Sequence, residues 1–247
     1  MEIRLCETPA ALGTSAARHT AFLLNQAICE HGAARLLLST GASQFDTLAA
    51  LVEAPVEWEK VEMFHLDEYV GIAPDHPASF QKYLRERFVE RVPLKKAHFV
   101  DGDPGSIARL TQEIRSAPVD VGLIGVGENT HIAFNDPPAD FDTDEAYILV
   151  ELDETCKRQQ CGEGWFDAVE HVPAQALSMT VRQIMRCRHI VSCVPYGVKA
   201  KAVRRMLTES VNNLTPATML RRHPNMVLYV DRDSFAQMLA REPLWNA

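Results

Sequence analysis

Residues 119–138, VDVGLIGVGENTHIAFNDPP, constrain the fold more tightly than any other stretch of this chain. The apolar run Val121-Gly122-Leu123-Ile124 is short and lacks a helical period, as a buried strand of a parallel sheet does. Gly125 and Gly127 let the backbone turn sharply at its carboxyl end. Glu128, Asn129, His131, Asn135 and Asp136 crowd in directly behind. Open α/β sheets bind ligands just outside the carboxyl ends of their strands, so a histidine among acids and amides there is a site candidate. The plain alternative is a hydrogen-bonded structural histidine, the commoner case in polar strand-end loops. A dinucleotide fingerprint is disfavoured: the third glycine of G-x-G-x-x-G would fall at Thr130, and no helix start follows.

The 247 residues suffice for a sizeable core and are expected to form one domain over 1–247. The formal charge of -8 argues against a nucleic-acid partner, which would want a basic face. An anionic substrate would need a local cluster of cations or backbone donors against that field. Cys6, Cys29, Cys156, Cys161, Cys187 and Cys193 show no zinc-type spacing and read as thiols of a reducing compartment. The first residues do not resemble a signal peptide, and no apolar run approaches membrane-spanning length. The expectation is a cytoplasmic protein with no membrane partner.

A helix is predicted over 9–30, with Leu12, Ala16, His19, Leu23 and Ala27 at spacings of three and four and Gly32 placed to end it. A strand over 35–38 feeds Ser39-Thr40-Gly41-Ala42-Ser43, and a helix follows with Phe45, Leu48, Leu51 and Val52 inward. The next strand, 61–66, ends in Asp67-Glu68-Tyr69. A helix over 78–91, a brief strand over 97–100 and a helix over 106–116 lead to the opening stretch. Beyond it lie a strand over 147–152, a polar segment over 156–166, an extended piece over 176–180 and a strand over 189–194. Helices over 198–209, 216–221 and 233–239 surround a last strand at 226–230. This alternation predicts an α/β fold: a single doubly wound, mostly parallel sheet with helices on both faces, Rossmann-like.

Three strand ends carry chemistry. The small hydroxyl/glycine loop 39–43 ahead of a helix is a phosphate cradle, because free backbone N–H groups there point outward with the positive end of the dipole. An ordinary cap by Thr40 or Ser43 is an equal alternative, and there is no Walker lysine. Asp67 and Glu68 could form a base or metal site, or could merely cap a turn. Lys199, in a helix's first turn, is placed to hold an anion; Lys201, Arg204 and Arg205 read as a solvated face.

Taken together, these loops resemble the glucosamine-6-phosphate deaminase (isomerising) family. That family has a T-G-G/A-[ST] loop, a [NH]-[ML]-D-E-Y-V-G strand end, a G-[VI]-G-x-[DN]-G-H-I-[AG]-F-N-E-P loop and a late P-A-S-x-L-x-x-H element. Here they stand as Ser39-Thr40-Gly41-Ala42-Ser43, His65-Leu66-Asp67-Glu68-Tyr69-Val70-Gly71, the loop 125–137, and Pro216-Ala217-Thr218-Met219-Leu220-Arg221-Arg222-His223. In the related 6-phosphogluconolactonases the strand end reads D-E-R and the histidine loop runs toward S-L-F-P. Tyr69 and Ile132-Ala133-Phe134-Asn135 follow the deaminase side.

The resemblance implies that Asp67 moves a proton between C2 and C1 of an open-chain amino sugar and that His131 opens the ring. Thr40, Gly41, Ala42, Ser43 and Lys199 would hold the phosphate. It implies a phosphorylated amino sugar as substrate, no metal or organic cofactor, and a homo-oligomer. Four departures stand out. Asn129-Thr130-His131 replaces Asp-Gly-His, so that an amide is expected to orient the imidazole. Asp136 replaces the glutamate, and could supply negative charge to His131 from the other side. The phosphate-side arginine of a D-T-R-x-x-N-x-R-F segment has no plain match, and Arg158 is the substitute. Asp142-Thr143-Asp144-Glu145-Ala146 replaces a basic effector-binding stretch, so allosteric control is not expected. The competing functions are a sugar-phosphate lactonase and a non-catalytic sugar-phosphate sensor. Against the sensor stand Asp67 and His131, and the scant thirty residues ahead of the first strong strand, too few for a helix-turn-helix.

Overall fold

The computed structural model describes residues 1–162 and 164–240. Strand β1 (Glu2–Cys6) leads into the longest helix, α1 (Pro9–His31). Thr8 caps α1 by accepting from the Ala11 N–H at 3.2 Å, and Gly32 ends it in left-handed backbone with its N–H on the Ile28 carbonyl. Then come β2 (Ala34–Leu38), α2 (Phe45–Val52), β3 (Val61–His65), β4 (Asp67–Tyr69), α3 (Phe80–Leu84), β5 (Lys96–His98) and α4 (Ile107–Arg115). The second half holds β6 (Val121–Ile124), β7 (Tyr147–Glu151), α5 (Glu154–Gly162), β8 (Gln175–Met179) and α6 (Val181–Ile184). It ends with β9 (His189–Val194), α7 (Ala200–Thr208), β10 (Met226–Asp231) and α8 (Ala236–Leu239).

Seven strands form a parallel sheet in the order β1-β10-β9-β6-β2-β3-β5. From β2 the chain winds outward through β3 to β5. It then returns to β6 on the other side of β2 and winds the opposite way through β9 to β10. The reversal makes a topological switch point between β2 and β6, where the strand-end loops part and leave a crevice. Alternate side chains serve the two faces. Leu36, Leu38, Met63 and Leu123 pack with Leu24 of α1 and Leu51 of α2, whereas Leu37, Phe64 and Ile124 pack with Ile114 of α4 and Val203 of α7. Cover on both faces is why these strands read as unbroken apolar runs. Each such side chain buried contributes about 1.5–3 kcal/mol, so the sheet holds its strand-end loops against their own local preferences.

Beside the predicted sheet stands a second, antiparallel one of three strands, β4-β8-β7. Asp67–Tyr69, read as the carboxyl end of the 61–66 strand, forms a strand of its own because all three residues pair with Ala176, Leu177 and Ser178. The helix predicted over 78–91 is interrupted: α3 is five residues and a π turn, Arg85–Val89, continues it. Phe80, Tyr83, Leu84 and Phe88 are nevertheless buried. The segment read as merely polar over 156–166 opens in α5, which turns Cys156 fully inward. The last predicted helix shortens to Ala236–Leu239. Among the described residues no helix is long and apolar enough to cross a membrane.

Candidate active site

At the switch point the two central loops are stitched together. The Gly125 N–H donates to Ser39 Oγ at 3.1 Å, and the Ser39 N–H donates to the Leu123 carbonyl at 3.0 Å. A cavity of about 160 Å³ opens above them, and Thr40, Gly41, Ala42 and Ser43 all line it. Gly41 has φ 99°, a conformation that side-chain-bearing residues rarely adopt. Its carbonyl is tied down by the Gln44 N–H (3.0 Å) and by the Tyr83 hydroxyl (2.9 Å). The N–H groups of residues 40–43 meet no acceptor among the described residues, and they precede α2. That is an anion cradle of unengaged donors with a helix dipole behind it. Lys199, 7% exposed, lines the same cavity from the loop after β9. Tyr196 enters that loop at φ 77°, a strained conformation held by Asp231, which accepts its N–H at 2.9 Å.

The paired acids part company. Glu68 accepts from the Tyr69 N–H (3.0 Å), the Ser79 hydroxyl (2.8 Å), the Phe80 N–H (3.2 Å) and the Gln81 N–H (2.8 Å). It caps α3. Burial raises its pKa, and these donors offset part of the rise. Asp67 lines the cavity, 6% exposed. Burial, then the neighbouring Glu68 charge, push it up to about 8, against a pull downward from the Phe134 N–H. Four donors offset part of the rise at Glu68, whereas Asp67 has one, so burial acts on Asp67 with less opposition.

His131 lies over Gly127, where a Cβ would stand 2.3 Å from the ring atoms Cε1 and Nε2 and displace the imidazole. The imidazole Nδ1 is 3.0 Å from Asp136 Oδ1, which assigns Nδ1 as the donor and turns Nε2 to the cavity. Asn129 does not touch the ring, contrary to the expected amide–imidazole contact. Its Oδ1 accepts the His131 backbone N–H (2.9 Å) and its Nδ2 donates to Asp136 Oδ1 (2.7 Å). The reason is backbone: Thr130 at φ 78° sends the chain round a tight turn that swings the ring away from Asn129 and toward Asp136. Burial alone would raise the pKa of Asp136, but the His131 bond and charge, with Asn129 and the Cys156 thiol, hold it below the ordinary value.

Asp67, His131, Lys199 and residues 40–43 thus share one cavity, with Asp136 and Asn129 behind His131. Arg158 does not join them. Its side chain is 74% exposed and lies 3.9 Å from Glu154. One helical step further on, α5 presents Gln159 and Gln160 to the cavity instead. Phe80, Phe134, Trp165 and Tyr196 also line it. The sequence signals that could have found them were the Gln159-Gln160 doublet on a polar helix and the Tyr-Gly step after β9. Among the described residues no group of three or more His, Cys, Asp or Glu side chains converges as for a metal ion.

A doubly wound α/β sheet with an anion cradle at its switch point, beside a carboxyl and an imidazole–carboxylate pair, describes a protein built for small phosphorylated ligands. The chain belongs to the glucosamine-6-phosphate isomerase/6-phosphogluconolactonase family, whose model matches residues 7–229. It is 31% identical over 214 residues to a glucosamine-6-phosphate deaminase of Lactobacillus delbrueckii subsp. bulgaricus, covering 85% of this chain and 89% of the relative. A solved structure described as a monomeric glucosamine-6-phosphate deaminase superposes with a TM-score of 0.88 at 27% identity, covering 96% of this chain and 99% of that one. A 6-phosphogluconolactonase of Thermotoga maritima superposes with a TM-score of 0.77 at 17% identity, over 93% and 99% of the two chains, a likeness of fold alone.

Proposed function

We propose that this enzyme is an isomerising deaminase converting a hexosamine 6-phosphate, glucosamine 6-phosphate first, into a ketose 6-phosphate and ammonia. One observation carries it: a buried carboxyl shares a cavity with a braced imidazole, four backbone donors unengaged among the described residues, and a lysine. The deaminase names of the similar proteins support it.

The phosphate rests on the N–H groups of residues 40–43, with Lys199 as counter-charge. His131 Nε2 moves a proton between the ring oxygen and O1, opening the pyranose to the aldehyde. Asp67 then takes the proton from C2 as O1 takes one from the substrate's ammonium, leaving an enolamine, and Asp67 returns its proton to C1 to give the C2 iminium. Water adds to that iminium, ammonia leaves, and the ketone remains. The substrate's own ammonium brings the positive charge that Asp67 lacks in the empty site, and so favours its ionised form. Asp136 keeps the imidazole oriented and stabilises it when charged.

The enzyme is taken to be cytoplasmic. The solved relative described as monomeric supports a monomer over the homo-oligomer that the motifs suggest; light scattering on the purified protein decides this. The deciding assay for activity is ammonia release from a panel of amino-sugar 6-phosphates, with 6-phosphogluconolactone beside them. Hydrolysis of the lactone with no ammonia from any member of the panel would overturn the deaminase function.

A further inference from the structure

We propose that Gln160 is a specificity-determining residue, its side-chain amide donating to an oxygen acceptor of the bound sugar phosphate; this rests on the deaminase function above. Gln160 lies on α5, 5% exposed, and lines the cavity. The Tyr69 hydroxyl donates to Gln160 Oε1 at 2.7 Å. Tyr69 is itself immobilised, fully buried with ring centroids of Phe80, Phe134 and Phe166 at 5.1, 5.2 and 5.3 Å. A hydroxyl so fixed consumes the amide oxygen and sets which way the amide faces. What remains is Nε2 with two N–H donors, which have no acceptor among the described residues. Donors on the cavity wall lose water when a ligand enters, and an oxygen on the ligand takes its place.

The placement relates this donor to the chemistry. Tyr69 and Asp67 lie two residues apart on β4 and so project from the same face of that strand. One strand therefore carries the acid and the hydroxyl that aims the amide. A committed donor donates to a hydroxyl or phosphate oxygen and discriminates against a methylene or an ammonium at that position.

The test compares the parent with Gln160→Glu and Gln160→Met. Glutamate keeps the shape and can still accept from Tyr69, but removes both donors; methionine keeps the length without polarity and serves if the buried acid impairs folding. Both should lower kcat/KM for glucosamine 6-phosphate by about 10- to 100-fold. Inhibition by inorganic phosphate identifies the acceptor. A parallel weakening assigns a phosphate oxygen, and an unchanged phosphate constant with raised KM assigns a sugar hydroxyl. Both variants folded and within about threefold of the parent would overturn the proposal. If the parent releases no ammonia at all, the deaminase function falls. Calorimetric binding of a hexitol 6-phosphate to parent and variants then still tests Gln160: a loss in both variants upholds the donor, and equal binding overturns it.

Discussion

Replacing Asp67 by asparagine should make the protein more stable and nearly inactive. Asp67 titrates near 8 in the folded protein, against an ordinary value of 3.8, chiefly through burial and secondly through the Glu68 charge. An acid with a raised folded pKa keeps its proton in the native state after the unfolded chain has lost it. Its contribution to stability is therefore full below about pH 4 and is lost as the pH climbs to about 8. Each pH decade is worth about 1.4 kcal/mol, so between about pH 5 and pH 8 this one group removes at most about 4 kcal/mol. Relaxation around the new charge brings the expected loss to about 2 kcal/mol. Asparagine keeps the shape and cannot ionise, so the variant should gain about 2 kcal/mol on the parent over that interval, about 4–8 °C in Tm. Glu68 is common to both proteins and largely cancels. Urea unfolding at the two pH values measures the difference. The same variant should lose about 10²–10⁴-fold in exchange of the C2 proton and in ammonia release. Parallel loss of stability in the two proteins, or near-normal turnover by the variant, would refute the reasoning.

Lys199→Ala should raise KM for the phosphorylated sugar far more than for an unphosphorylated analogue, and equal effects on the two ligands would displace the cradle. Asn129→Asp should set a second carboxylate against Asp136, where Asn129 now donates at 2.7 Å. Repulsion then raises the pKa of Asp136, so the acidic limb of kcat/KM should move to higher pH; an unmoved limb would mean that Asp136 does not govern His131. Thr130→Gly should stabilise the protein by about 1 kcal/mol. It relieves φ 78° at a β-branched residue and removes a fully buried hydroxyl that has no partner among the described residues, and a fall in Tm would count against stored strain.

The main sheet could be read from the chain because its strands are buried on both faces and end where glycine or small hydroxyl residues turn them. Stretches such as Leu36-Leu37-Leu38 admit few other folds. The second sheet could not, since three residues at Asp67–Tyr69 are too few to show any period and become a strand only through their partners. Helix α5 hid for a related reason. Its polar sequence has no apolar stripe to define an inner face, so nothing local distinguished exposed Arg158 from buried Gln160. The residues flanking His131 were all visible, but who pairs with whom depends on the turn at Thr130, and β-branched residues give no warning of left-handed backbone.

The pairing of β1 with β10 bears on how this chain is made. Arg4 and Tyr229, which meet across that pair, are separated by 225 residues. At about 5–20 residues per second of synthesis, β1 waits on the order of 10–45 s for the strand it lies against. During that interval its Ile3 and Leu5 have no sheet to join. Glu2 and Arg4, alternating with them, give the waiting strand a charged face that discourages union with a neighbouring chain. The sheet's closure awaits the synthesis of β10, so that β1 is the last of the seven strands to be seated.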